Sequence, residues 1–270
     1  MLTFLFWNLN RRPLEDAVSS LTYQHQVDVV ILAECAIPAA TLLPTLAEAN
    51  GQPFYFPRSN CRAISIYTRF SDAWMQARHE SDRITIRRLT LPARIEILLV
   101  GVHLSSKLYW SEHSQAIECT NLRRLIQQEE QRSGHSRTVL VGDFNMNPFE
   151  SGVAGAAGLH AVMTKQIASK KRRTVGGEQY PFFYNPMWSC FGDRTAGPPG
   201  TYYYERAEHV CYFWNVFDQV LLRPELLDRF PSEELRILTE DGNRSLLSAS
   251  GLPDKAAGSD HLPVLFKLDL

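Results

Sequence analysis

Short apolar runs alternate along the chain with segments in which apolar residues recur at helical spacing. Strand-length apolar or alternating runs lie at Leu2–Trp7, Val27–Ala33, Ala63–Thr68, Arg83–Leu91 and Ala93–Leu104. Helical spacing predicts helices over Leu14–Gln24, Ala39–Ala49 and Ser111–Arg132. Because only Pro92 separates the last two strand-like runs, they are predicted to pair as a hairpin.

After the third predicted helix the chain shows one more buried strand and then loses its periodicity. The apolar run Thr138–Val141 stops at Gly142, and polar residues follow. Residues around 151–215 are rich in Gly, Pro and aromatics, which predicts an ordered but irregular surface insert. WNVFDQVLLRPEL is read as one strand that ends in a proline turn, and SDHLPVLFKLDL as the closing strand.

Strands and helices are interspersed, but the hairpin argues against a strictly parallel sheet. The pattern favours an α+β fold in which two mostly antiparallel sheets pack face to face with helices outside. Residues 1–270 are predicted to form a single domain that carries the irregular insert.

Composition narrows the function classes. The chain has 270 residues, a formal net charge of -1 and 44% hydrophobic residues. Since there is no global basic field, any nucleic-acid binding must be local. Five cysteines without CxxC spacing argue against a disulfide framework or a thiolate zinc site, and favour a reducing, cytoplasmic location.

The apolar N-terminus, MLTFLFWNLNRR, is read as a first strand. Its charges follow the apolar run, whereas those of a signal peptide precede it. No apolar stretch approaches the roughly 18 residues of a membrane span, so none is expected. No stable protein partner can be inferred from the sequence.

Polar residues collect at the ends of the apolar runs. They are Asn8, Glu34, His103, Asp143, Asn145, Asp218, Asp260 and His261. Side chains at strand ends can converge on one rim of a sandwich. Carboxylate and amide oxygens suit Mg²⁺ or Mn²⁺, and histidines supply acid–base partners. Together they indicate metal-assisted attack of water on a phosphate ester.

Six segments appear in the order typical of the endonuclease/exonuclease/phosphatase family, which the chain resembles from Trp7 to Val264. They are WNLN, LAEC, VHLSS, VGDFNMNP, FDQVLL and GSDHLPV. The family includes apurinic endonucleases, deoxyribonucleases, neutral sphingomyelinases and inositol phosphatases. The resemblance implies a four-layered α/β sandwich and a divalent metal, usually Mg²⁺, with Mn²⁺ as a possible substitute.

The resemblance also implies a metal site. Glu34 would be the principal metal carboxylate, with Asn8 arranging the site and the phosphate. Asp260 would complete the cluster directly or through water. Asn10 stands where several relatives carry an acidic ligand, which leaves open whether one or two metals bind.

The same resemblance implies the catalytic roles. Asp143 would position or deprotonate the attacking water, and Asn145 would hold that water or a phosphate oxygen. His261 would contact the scissile phosphate, with Asp218 fixing its tautomer, because a carboxylate stabilises imidazolium as charge builds. His103 would lie near the phosphate.

Substrate contacts are predicted from local charge and aromatic residues. Candidates for binding substrate are Arg11, Arg62, Trp188 and the basic run Lys170, Lys171, Arg172. They favour a nuclease that cuts DNA or RNA. A lipid or small-molecule phosphoesterase, with Phe182, Phe183 and Trp188 serving a lipid, stays open as the first alternative. A non-catalytic binding module is the second.

Overall fold

The computed structural model describes residues 1–193 and 197–270. The helices are α1 Glu15–Gln24, α2 Ala39–Asn50, α3 Glu112–Ser133, α4 Ser151–Ala154 and α5 Lys165–Ala168. The strands are β1 Leu2–Asn8, β2 Val29–Ala33, β3 Ile64–Thr68, β4 Met75–Glu80, β5 Ile84–Leu89, β6 Ile97–His103, β7 Thr138–Asp143, β8 Ala161–Val162, β9 Arg172–Val175, β10 Glu178–Pro181, β11 Phe183–Tyr184, β12 Tyr202–Tyr204, β13 Phe213–Asn215, β14 Asp218–Leu222, β15 Arg236–Ile237 and β16 Val264–Leu268. Short 3-10 helices cover Asp72–Trp74, Pro186–Cys190, Pro224–Arg229 and Ser232–Glu234.

Two large sheets organise the described part of the chain. The first has the strand order β15-β16-β1-β2-β3, and the second has the order β4-β5-β6-β7-β14-β11-β8. Most neighbours run antiparallel; the parallel pairs are β1/β2, β6/β7 and β8/β11. The predicted hairpin forms as β5 and β6. The prediction of two mostly antiparallel sheets is therefore confirmed.

Three apolar clusters show how the sheets and helices stack. The central cluster joins the inner faces of both sheets, with Phe4 and Phe266 from the first packing with Val141 of the second. Outside the first sheet, Trp7 packs with residues of α1 and α2. Outside the second sheet, Leu140 packs with residues of α3. The layers are helix, sheet, sheet and helix, as the four-layered expectation requires.

The structure corrects the prediction of one long strand over Trp214–Leu226. That segment splits at Val216, whose backbone N–H donates to the side chain of Asn147 at 2.9 Å. The first part, β13, pairs with β12, and the second, β14, joins the second sheet. A tertiary hydrogen bond therefore ends a run that its sequence would continue.

The segment predicted as a surface insert is partly a piece of the second sheet. Strands β8 and β11 form its edge beyond β14, and Phe183 of β11 is completely buried. Residues 194–196 of this segment lie outside the described residues. The prediction also missed β4, an edge strand whose central side chains are exposed, and started β6 too early, because the chain turns around Ala93.

All five cysteines are free thiols. No helix in the described ranges is both long and apolar enough to cross a membrane.

Candidate active site

Strand register brings the predicted residues together at one end of the sandwich. In the parallel pair β6/β7, His103 lies opposite Asp143, and in the antiparallel pair β7/β14, Asp218 lies opposite the same residue. Gly142 permits this packing, because a Cβ there would lie 1.9 Å from the carbonyl oxygen of Val102. The Asp143 carboxylate thus stands in the middle of the rim, and only 1% of the residue is exposed.

Both oxygens of Asp143 accept hydrogen bonds. The side-chain amide of Asn8, at the end of β1, donates to Oδ2 at 2.9 Å. The backbone N–H of Asn145 donates to Oδ1 at 2.8 Å. Asn145 itself is held by its amide, which donates to the carbonyl oxygen of Leu104 at 3.0 Å. The carboxylate is therefore fixed in one orientation, as a group that aligns a reactant must be.

His261 and Asp218 form a buried pair beside Asp143. His261 Nδ1 lies 2.8 Å from Asp218 Oδ2, and its Nε2 lies 3.9 Å from Asp143 Oδ2. Burial lowers the pKa of His261, but the negative charges of Asp218 and Asp143 outweigh it and raise that pKa to about 10. The imidazole is therefore a cation at neutral pH, with Nε2 as its free donor.

Neighbouring residues set the position of His261. The indole of Trp7 donates to the His261 carbonyl oxygen at 2.8 Å. The hydroxyl of Ser259 accepts from the His261 backbone N–H at 3.1 Å and donates to the carbonyl oxygen of Asn8 at 2.6 Å. The ring of Tyr202 packs against the imidazole, with centroids 4.6 Å apart. Sequence reasoning missed Trp7 and Ser259 as supports, because one resembles an ordinary core residue and the other a turn residue.

Glu34 lies at the other side of Asp143, immediately after β2. Its Oε1 is 3.4 Å from His103 Nε2, which in turn lies 3.7 Å from Asp143 Oδ2. Its Oε2 is 3.6 Å from Nε of Arg11, a side chain that is 81% exposed. Glu34, His103 and Arg11 are thus all brought to the rim.

The rim offers the oxygen donors that a hard divalent cation requires. Asn8 ends β1, Glu34 follows β2, and Asp260 precedes β16, and these three strands are neighbours in the first sheet. Asp260 Oδ1 is buried and has no hydrogen-bond partner among the described residues. A carboxylate oxygen without a hydrogen-bond partner is available to a cation, so the chemistry of this donor set fits a hard divalent metal. Asn10 contributes differently, since its backbone N–H donates to Asn8 Oδ1 at 3.0 Å and the residue is exposed.

The three residues Asp143, Asp218 and His261 also bring potential ligand atoms within 4.8 Å of one another. A histidine must be neutral to bind a metal. His261 instead holds a proton against Asp218, so this group is better suited to stabilise anionic charge than to bind a cation.

Four of the nine described non-glycine residues with positive φ lie at the same rim. Asn10, Arg11, Glu34 and Asn145 all have positive φ, between 46° and 57°. Asparagine tolerates this region, but a glutamate rarely adopts it. Such conformations persist where the surroundings impose them, and they cluster at functional sites.

The predicted substrate residues are placed less uniformly. The backbone of Arg62 adjoins the rim, because Glu34 N–H donates to the carbonyl of Ala63, but the Arg62 side chain is 86% exposed and lies 3.8 Å from Asp82. Trp188 packs in an aromatic cluster with Phe149, whose ring centroid lies 6.3 Å away.

The basic run Lys170, Lys171, Arg172 lies away from this rim. The carbonyl oxygen of Lys171 accepts a hydrogen bond from the backbone N–H of Phe182. The carbonyl oxygen of Phe182 accepts one from the side chain of Arg223, which follows β14. This end of β14 is the one remote from Asp218, roughly 13 Å away along the strand. The run is therefore not part of this rim, and its contact with a nucleic-acid backbone stays a prediction.

Two lysines that the sequence did not single out do lie near the rim. Lys107 Nζ is 5.8 Å from the centroid of Phe217, the residue before Asp218. Lys255 Nζ is 5.7 Å from the centroid of Tyr202. Isolated lysines in loops carry no sequence signal, so only the fold reveals them.

Comparisons with known proteins show the family and the fold. The family model described as "Endonuclease/Exonuclease/phosphatase family" matches residues 5–261. No protein with curated annotation is significantly similar in sequence.

Solved structures share the fold at low identity. An endonuclease/exonuclease/phosphatase family protein from Leptotrichia buccalis superposes with TM-score 0.60 at 15% identity, covering 100% of both chains. A 3′ phosphatase from Neisseria, bound to a product DNA hairpin, gives 0.61 at 14% identity with the same coverage. An AP endonuclease from Archaeoglobus fulgidus gives 0.58 at 14% identity, again covering 100% of both chains.

Proposed function

Because the chain belongs to the endonuclease/exonuclease/phosphatase family, we propose that it is a divalent-metal-dependent phosphodiesterase that cuts nucleic acid. Members of this family are hydrolytic phosphoesterases, which supports an enzyme. The nucleic-acid substrate and Mg²⁺ as the metal, with Mn²⁺ as a substitute, go beyond family membership. The similar folds of a DNA-bound 3′ phosphatase and an AP endonuclease support the choice of nucleic acid.

One observation carries the proposal: a fixed carboxylate faces a buried imidazolium. Asp143 is oriented by Asn8 and Asn145, and His261 Nε2 lies 3.9 Å from it. A water that donates to Asp143 would be aligned for in-line attack on phosphorus. The new bond forms from the water oxygen, its proton passes to Asp143, and the bond to the leaving oxygen breaks on the opposite side.

His261 stabilises the charge that develops on the phosphate. Its Nε2–H points toward the rim, and Asp218 keeps the ring protonated through Nδ1. The donor is preorganised in a buried site, where such interactions are strongest. His103 and Asn145 would add donors to the other phosphate oxygens.

Glu34, Asp260 and Asn8 would hold the metal. When bound, it would supply positive charge to the phosphate and leaving oxygens. Asn10 would support this set through its backbone, because its N–H already orients the Asn8 amide.

The exposure of apolar side chains bears on the alternative of a lipid substrate in two opposite ways. Phe182 and Phe183 are 3% and 0% exposed, so they cannot contact a lipid. Leu108, Tyr109 and Trp110, next to Lys107, are 70%, 85% and 44% exposed. An exposed apolar segment near a phosphoesterase site is a feature that a membrane-bound substrate could use. Sphingomyelin is therefore one of the substrates in the test below.

The test measures turnover by purified protein with Mg²⁺. Substrates are single-stranded DNA, duplex DNA, RNA, sphingomyelin and bis(4-nitrophenyl) phosphate. We expect cleavage of nucleic acid, loss of activity with EDTA, and a kcat lowered about 10³-fold by Asp143→Asn. Asp228→Asn, an exposed substitution in the 3-10 helix Pro224–Arg229, serves as control.

Turnover of sphingomyelin alone would overturn the nuclease assignment. Activity that survives chelation and dialysis would overturn the metal requirement. Unchanged turnover in Asp143→Asn would overturn the mechanism.

A further inference from the structure

A groove beside the active rim is not used by the chemistry described above. It lies between residues 203–205, at the end of β12, and the loop 248–256, and it has a volume of about 540 Å³. Its walls include Tyr203, Tyr204, Glu205, Leu252 and Lys255. The volume falls within the roughly 300–1,000 Å³ typical of ligand pockets.

Tyr202, which immediately precedes the groove residues Tyr203 and Tyr204, links the groove to the catalytic residues. Tyr202 forms an isolated antiparallel bridge with His261, and their rings are in contact. Tyr204 is two residues further along β12, so it faces the same side. The rings of Tyr202 and Tyr204 are nearly parallel, 16° apart, with centroids separated by 6.4 Å. A substrate whose phosphate sits at His261 would therefore extend along this strand into the groove.

The charged residues that line the groove are one lysine, Lys255, and two carboxylates, Glu205 and Asp254. Lys255 forms no ion pair with any described residue. The two carboxylates keep their charge and accept hydrogen bonds from neutral donors: Glu205 from the Tyr203 hydroxyl, and Asp254 from the backbone N–H groups of Ala256 and Ala257. The free positive charge is thus the lysine next to the aromatic wall.

We propose that this groove binds the nucleotide next to the scissile phosphodiester, with an unpaired base on the ring of Tyr204 and the adjoining phosphate at Lys255. The inference rests on the proposed function and names its substrate class as single-stranded nucleic acid. Tyr204 is 36% exposed, which leaves ring surface for a base. Base–aromatic stacking requires an unstacked base, and a duplex keeps its base faces covered. The guanidinium of Arg206 lies 5.8 Å from the Tyr204 centroid but is paired with Glu208 at 2.8 Å, so Lys255 remains, among the described residues, the unpaired cation of this wall.

The experiment compares Tyr204→Leu and Lys255→Gln with matched controls. Tyr23→Leu removes an exposed tyrosine from α1, and Lys267→Gln removes a lysine whose partner is Glu234 on the surface. Steady-state kinetics are measured on a short single-stranded oligonucleotide, on the same strand within a duplex, and on bis(4-nitrophenyl) phosphate, which has no neighbouring nucleotide.

We expect Tyr204→Leu to raise KM for the single strand about tenfold, the lower part of the range for one stacked base. Turnover of bis(4-nitrophenyl) phosphate should stay within about twofold of wild type, as should both controls. Lys255→Gln should flatten the dependence of log Kd on log salt by about 0.7, the value for one phosphate of a single strand. This binding is measured by fluorescence anisotropy on the Asp143→Asn background.

The outcomes separate the subsite from the activity. A wild type that hydrolyses no phosphodiester overturns the proposed function. A wild type that cuts the single strand, with Tyr204→Leu and Lys255→Gln unchanged, overturns the subsite alone. Equal losses on bis(4-nitrophenyl) phosphate would show a structural role instead, and an equal KM for the duplex would overturn the requirement for an unpaired base.

Discussion

Replacing Asp218 with asparagine isolates the contribution of one buried charge. The substitution keeps the shape of a side chain that is completely buried and removes the charge that faces His261. At an effective dielectric constant of about 20, unit charges 2.8 Å apart attract by about 6 kcal/mol. Part of this is recovered because a buried carboxylate is costly. If about 4 kcal/mol of transition-state stabilisation is lost, kcat falls about 10³-fold.

The pH profile distinguishes this loss from simple misfolding. His261 must be protonated to act, and its pKa is raised to about 10 largely by Asp218. Without that carboxylate, burial lowers the pKa, so the variant should lose activity at a lower pH than wild type. The assay is kcat against pH on single-stranded DNA with Mg²⁺, with Asp228→Asn as the matched control.

A folded Asp218→Asn protein whose kcat stays within about tenfold of wild type would refute this reasoning. So would an alkaline limb at the same pH in both proteins. Thermal melting establishes that the variant is folded. Either result would mean that His261 does not depend on Asp218 for its charge.

Three further predictions concern stability. Gly142→Ala should lower the free energy of unfolding by about 3 kcal/mol in urea titrations, since its Cβ would lie 1.9 Å from the Val102 carbonyl; an unchanged midpoint would contradict this close approach. Glu130→Ala should lower the free energy of unfolding by about 3–5 kcal/mol, because it leaves the buried Arg223, whose Nε lies 2.8 Å from Glu130, without its charge partner. Changing both residues to leucine should restore much of this loss. In metal-free protein, the protonated His261 contributes stability that is complete below its unfolded pKa of about 6.5 and is lost as pH rises through about 10, so denaturant midpoints should fall across that window.

The pattern of the sequence determined the main elements because each buried strand and helix carries a local signal. Apolar runs and helical spacing located β1, β2, β7 and α3 to within a few residues. Phe144, which stands between the rim residues Asp143 and Asn145, is completely buried, as alternation along an extended chain requires. Polar residues at strand ends identified the candidate site without any contact information.

Other features had no local signal. The run Trp214–Leu226 looks like one strand. The side chain of Asn147 accepts a hydrogen bond from the Val216 N–H, however, and the run divides into two strands there. The edge strand β4 is too polar to be recognised, because an edge needs few apolar side chains. The position of the exposed basic run also had no local signal: hydrogen bonds that join Lys171 and Arg223 to Phe182 place it at the end of β14 remote from the rim.

The sequence by itself thus determined which residue types are available and at which strand ends they lie. Only the tertiary structure decided that Asp143 faces His103 across one pairing and Asp218 across another, because register is set by the packing of whole sheets. It also decided that Lys255 lies beside Tyr202. Local periodicity encodes burial along one strand, whereas the distance between strands depends on every side chain packed between them.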